Sequence, residues 1–151
     1  MAKIIFAKNS ENKIGSVCHI AQDQIFLDSN KNFDEATVDI IDITTEDFND
    51  IKNGVKSIIS HNGGTVTYNT RDALKDFFTT EDSLKTYINV LLERFETYLN
   101  FNSSKPLATT VTAYVDWLKN LDTSSLIPLN SSLEKYASDQ GANPVHLLEL
   151  V

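Results

Sequence analysis

Only one cysteine, Cys18, occurs in 151 residues, so no disulfide can form within the chain and a secreted disulfide scaffold is excluded. That usage fits a reducing compartment, either the cytoplasm or a particle assembled inside a cell. No apolar run approaches the roughly 20 residues needed to span a bilayer. Met1 to Ile5 carries too short an apolar core for a signal peptide. Arginine is almost missing, with Arg71 and Arg94 alone, and 13 basic against 21 acidic residues leave a net charge of -8. Nucleic-acid binding through a basic patch is therefore not expected, because it depends on Lys and Arg displacing the counterions of the phosphates. Cut after Thr70, the chain has 6 basic and 10 acidic residues before the cut and 7 basic and 11 acidic after it. Each half thus carries -4, which gives neither a basic arm nor the acidic stripe of a nucleic-acid mimic. Abundant Asn, Lys and Ile beside so little Arg match the coding bias of an AT-rich genome.

Motifs for chemistry are just as sparse. Structural zinc takes ligands in closely spaced pairs, and Cys18, His19, His61 and His146 are not so spaced, so no metal and no cofactor is expected. Gly63-Gly64 is not followed by the Lys and Ser or Thr of a phosphate loop. Cys18 and His19 are neighbours, and neighbours in a strand point to opposite faces, so they cannot form a dyad directly. Between Asp34 and Asp50 stand seven acids and no base, without the glycine or the spacing of an EF-hand loop. A solvated strand face followed by helix-capping acids accounts for them. A docking face for a basic partner is the functional alternative.

What is present is a change of hydrophobic period near Thr70. Before it the pattern is strand-like: Lys3 to Ala7, Ile14 to Ala21 and Ile25 to Asp28 read as a three-stranded antiparallel meander. Ala36 to Thr44 reads as a strand with a bulge at Ile40-Ile41. Thr44 and Asp47 resemble a capping box opening a short helix over Glu46 to Asn53, stopped by Gly54. Val55 to Ser60 and Thr65 to Thr70 flank Asn62-Gly63, the strongest hairpin signal in the chain.

After Thr70 the pattern is helical. Arg71 to Phe78 is a short amphipathic piece with Leu74, Phe77 and Phe78 on one face. A capping box at Thr79 and Asp82 opens a helix running to about Phe101, with Leu84, Ile88, Leu91, Phe95 and Tyr98 on one side. Pro106 sits at the first turn of the next helix, which carries Leu107, Val111, Tyr114 and Leu118. The short connection between them predicts an αα-hairpin. Ser131 with Glu134 caps a helix over Leu133 to Ala137, and Asn143-Pro144 opens a last one over Val145 to Leu150.

The expected fold is therefore α+β, with an antiparallel β module over about 1–70 packed with a helical region over 71–151 as one integrated unit. The expected function is a non-enzymatic structural or interaction protein in a multi-subunit assembly, with protein partners or self-association. A phage or other virion component is its sharpest form. Tyr87, Phe95, Tyr98, Phe101, Tyr114 and Trp117 supply the aromatic character of such a surface. Tyr87, Leu91, Phe95, Tyr98 and Trp117 are the interaction candidates. The rival is a small hydrolase or transferase using His19 or His61 with one of the acids from Asp34 to Asp50.

Overall fold

A computed structural model describes residues 1–71 and 77–151. The fold is α+β and divides into two compact units, Met1–Arg71 with Leu148–Val151, and Asp72–Leu147. No helix among the described residues is long and apolar enough to cross a membrane.

The first unit is built on β1 (Ala2–Ala7), flanked antiparallel by β2 (Val17–Ala21) and β3 (Val38–Ile43) in the order β2-β1-β3. Ile4, Ile5 and Phe6 are all fully buried, because both faces of this strand are covered. Ile4 and Phe6 join Ile20, Phe48 and Ile51 on one face, while Ile5 joins Ala21, Leu27 and Val151 on the other. That double cover explains a continuous apolar run in place of alternation.

It also corrects two expectations. The Ile40-Ile41 pair is not a bulge, since β3 pairs with β1 in unbroken register from Ala2 opposite Ile43 to Ala7 opposite Val38. Ile40 and Ile41 simply serve the two opposite clusters. The register shift falls instead between Ile5 and Phe6, on the β2 side. Nor is there a third meander strand at Ile25 to Asp28, because that stretch lies in helix α1 (Gln24–Asn30). Asp23 decides the matter as N-cap, accepting from Phe26 N at 2.7 Å, and the three-residue apolar run Ile25-Phe26-Leu27 has too little periodicity to oppose it.

Helix α2 (Thr45–Lys52) starts as expected, with the Thr44 hydroxyl accepting from Asp47 N at 3.0 Å, and buries Phe48 and Ile51. The hairpin is β4 (Lys56–Asn62) with β5 (Thr65–Thr70), its turn one residue later than the Asn-Gly signal implied. Asn62 pairs with Thr65, and Gly63 and Gly64 take the positive φ values of 56° and 84°. Two adjacent glycines meet the demand of such a turn better than Asn-Gly does. The final helix expected after Pro144 is absent. Only a 3₁₀ turn forms at Leu147–Glu149, since Leu148 and Val151 pack into clusters on opposite faces of the sheet.

In the second unit, α3 (Glu81–Asn102), α4 (Pro106–Lys119) and α5 (Leu133–Asp139) carry the packing. α3 and α4 form the αα-hairpin, and Leu84, Ile88, Leu91, Phe95 and Tyr98 are all buried, as are Leu107, Val111, Tyr114 and Leu118. Two caps sit one residue later than their motifs suggested. Thr80 accepts from Ser83 N at 3.2 Å and Ser132 from Lys135 N at 3.1 Å, because a neighbouring Thr or Ser can serve equally. Leu74 lies outside the described residues. Phe77 and Phe78 are not helical and instead bond to Leu129, which accepts from both backbone amides at 3.0 and 3.1 Å.

Candidate functional site

A buried polar cluster in the first unit lies where the β1–β2 loop folds back on the hairpin. Asn9 and Asn12 adopt positive φ values of 56° and 66°, which asparagine tolerates better than most residues, and the chain doubles over. Asn12 N then donates to His61 O at 2.7 Å and Gly15 N to Ile59 O at 3.1 Å. Inside the fold-back, Ser10 Oγ lies 3.1 Å from His61 Nε2, with both residues buried. Ser10 N donates to Asp39 Oδ2 at 3.4 Å, and Glu11 Oε1 accepts from Gly63 N at 2.6 Å. The His61 ring rests against Phe6 at 4.3 Å between centroids. A cavity of about 490 Å³ opens beside this cluster, lined by Lys8, Glu11, Asp39, His61 and Gly63 among others.

Ser10, His61 and Asp39 thus bring together a hydroxyl, an imidazole and one of the acids. The order required for nucleophilic catalysis places the carboxylate on the ring nitrogen that does not face the hydroxyl. Here Asp39 Oδ2 stands 4.0 Å from the same Nε2 that faces Ser10, beyond hydrogen-bond length, and Lys8 Nζ holds its other oxygen at 3.6 Å. Ser10 is 2% exposed, so an attacking Oγ has no route to a substrate unless the loop opens.

His19 has different surroundings. Its ring stacks on Phe33 at 5.8 Å and bonds to the backbone of Leu148, and burial holds its pKa below the usual histidine value. Cys18, on the neighbouring position of β2, is exposed. Among the described residues no three His, Cys, Asp or Glu side chains gather to hold a metal.

The acids from Asp34 to Asp50 meet lysines from elsewhere in the unit. Asp42 pairs with Lys3, whose hydrogen bond holds the carboxyl below its usual range, and Glu35 pairs with Lys31 at 3.2 Å. Asp47 and Asp50 share Lys56 at 2.7 and 3.3 Å, and the ammonium also lies 5.3 Å from the centre of the Tyr68 ring. Burial, with Asp47 nearby, pushes the Tyr68 hydroxyl up to about 12. Asp34 caps a 3₁₀ turn over Glu35–Thr37. The acidic run is therefore largely neutralised within its own unit. The cations lie outside the segment itself: pairing of β1 with β3 brings Lys3 and Lys8 to Asp42 and Asp39, and Lys31 and Lys56 flank the run.

The five interaction candidates build the interior of the helical unit. Leu91, Phe95 and Tyr98 are 1%, 0% and 7% exposed, and Phe95 meets Tyr114 edge to face at 5.7 Å. Tyr87 is half-buried and donates its hydroxyl to Glu134 on α5, and Trp117, also half-buried, stacks on Tyr114 at 5.8 Å. Packing within the unit accounts for their stripe. Phe101, grouped by sequence with the other aromatics, behaves differently and is 84% exposed. Val90 on the same helix is 48% exposed. On another side of α3, a groove of about 510 Å³ runs along the hairpin, lined by Leu99, Ser103, Ala108, Thr112 and Asp116 among others.

Comparison with protein families, with curated proteins and with solved structures finds no match to this chain.

Proposed function

We propose that this chain is a non-enzymatic interaction protein that works within a multi-subunit assembly. The observation that carries the reading is Phe101, a phenyl ring 84% exposed on a helix whose other aromatic positions are buried or half-buried. Leaving such a ring in water forgoes roughly 1.5–3 kcal/mol of burial, which a protein partner would recover. The finer form is a virion component or assembly factor of a phage or similar virus, supported by the AT-rich coding bias. It works as one integrated protein inside a cell or in a particle built there, as the single unpaired cysteine suggests. Sedimentation velocity of the natively purified protein is the test. Self-association or a complex of fixed stoichiometry is expected, whereas a lone monomer that turns over a small substrate would overturn the reading.

A second reading, a small hydrolase or transferase, is favoured by the 3.1 Å approach of Ser10 Oγ to His61 Nε2 beside a cavity. In it His61 is the general base, Ser10 the nucleophile, and opening of the loop over residues 9–14 admits substrate. A fluorophosphonate probe that labels Ser10 in the wild type and not in His61→Ala would establish it. No labelling is expected.

A further inference from the structure

We infer that the groove between α3 and α4 receives the Phe101 face of a second copy of this chain, joining copies head to tail. The inference rests on the interaction reading above and names its partner. Phe101 and Arg94 lie seven residues apart on one exposed stripe of α3, about 10.5 Å along the axis. Within the groove, Thr109 and Asp116 lie seven residues apart on α4, the same rise. When Phe101 seats at the Thr109 end, over Leu99 and Ala108, Arg94 reaches Asp116 with α3 of the incoming copy antiparallel to α4. The charges are opposite and available, since neither Arg94 nor Asp116 makes an ion pair with another described residue. Nothing larger than threonine stands on α4 at positions 108, 109, 112 and 113, so a third helix can approach closely.

The direction of growth follows from the helix geometry. Phe101 and the groove residue Leu99 are two positions apart on α3, hence about 200° apart around its axis. A copy that fills the groove of one neighbour therefore still offers its own groove to another. Such a contact is heterologous and builds rings or filaments, where a two-fold contact would stop at dimers.

Sedimentation velocity over a concentration series tests this. Wild type is expected to grow past the dimer as concentration rises. Phe101→Asp, which removes the knob, and Thr112→Trp, which fills the groove, are each expected to weaken association at least tenfold. Both positions are exposed, so circular dichroism should show unchanged folds. Mixing the two variants is expected to restore a complex that stops at one copy of each, because one intact knob meets one intact groove. Arg94→Glu and Asp116→Arg should each weaken association, and the chain carrying both should recover it. Assembly that persists in both Phe101→Asp and Thr112→Trp would overturn the inference and leave the interaction reading standing. A wild type that stays monomeric throughout also overturns it, and if that monomer in addition labels at Ser10 in a His61-dependent way, both readings fall.

Discussion

The β-rich unit and the helical unit each bury one glutamate but satisfy it differently, the first with a lysine cation and the second with a tyrosine hydroxyl. In the first, Glu149 is 3% exposed and its carboxylate meets Lys52 Nζ at 3.1 Å, and Ser10, Asn30 and His61 are also buried. In the second, Lys85–Glu81, Lys119–Glu96 and Lys135–Asp139 all lie on the surface, and the buried side chains among the described residues are aliphatic and aromatic apart from Ser132 and Glu134, which accepts from the Tyr87 hydroxyl. The cause is architectural. A helix satisfies its own backbone and can confine polar side chains to one face. A sheet covered on both sides needs connecting segments to cross over it, and those segments carry polar residues inward that must then find partners. One unit should therefore fail through voids, the other through orphaned polar groups.

The largest effect should come from a void in the helical unit. Phe95→Ala removes a fully buried ring that meets Tyr114, and is expected to cost about 3–5 kcal/mol in chemical denaturation followed by circular dichroism. A loss under about 1 kcal/mol would mean that the hairpin interior is loosely packed, and the contrast would fail. In the β-rich unit, Lys52→Ala removes the cation that stands 3.1 Å from the buried Glu149 carboxylate, with an expected loss of roughly 1–3 kcal/mol. Lys119→Ala, the matching deletion in the helical unit, should change stability by less than about 0.5 kcal/mol, because that pair is solvated.

Between those two falls the cap. Thr80→Ala should cost about 1 kcal/mol by leaving Ser83 N without its acceptor at the start of α3.

Acid sharpens the same contrast. Burial lowers the pKa of His19 in the folded state, while the unfolded residue titrates near 6.5. Between those values the unfolded chain binds more protons, so stability from this group is complete above about pH 6.5 and declines as pH falls toward the folded value. Stability measured from pH 7 downward should drop less steeply in His19→Gln than in wild type, by at most one proton's worth of slope. An unchanged slope would show that His19 is hydrated in the folded protein.

Legibility followed the same divide. The stripe from Leu84 to Tyr98 and the placement of Pro106 could be read directly, because helical periodicity repeats over enough turns to be unmistakable. The hairpin was legible from Asn62-Gly63 between β-branched runs, although its turn falls one residue later, at Gly63-Gly64. Residues 25–28 misled, since a single cap at Asp23 outweighed three apolar letters that suit either structure. The cluster of Ser10, His61 and Asp39 could not be anticipated as a set. Its members come from a loop and two strands separated by 29 and 51 positions, and no spacing rule connects them.

From the amino-acid order alone came the α+β class, the switch of period near Thr70, the helical hairpin and the absence of a disulfide, because each depends on local pattern or on simple counting. Tertiary structure alone decided that Ile40 and Ile41 serve opposite cores, that Lys3 and Lys8 reach Asp42 and Asp39 of the acidic run, and that Phe101 is left in solvent. Those outcomes depend on which surfaces meet. Phe95 and Phe101, six residues apart, point about 120° apart around α3, and only the packed chain specifies that the side Phe101 takes is left uncovered.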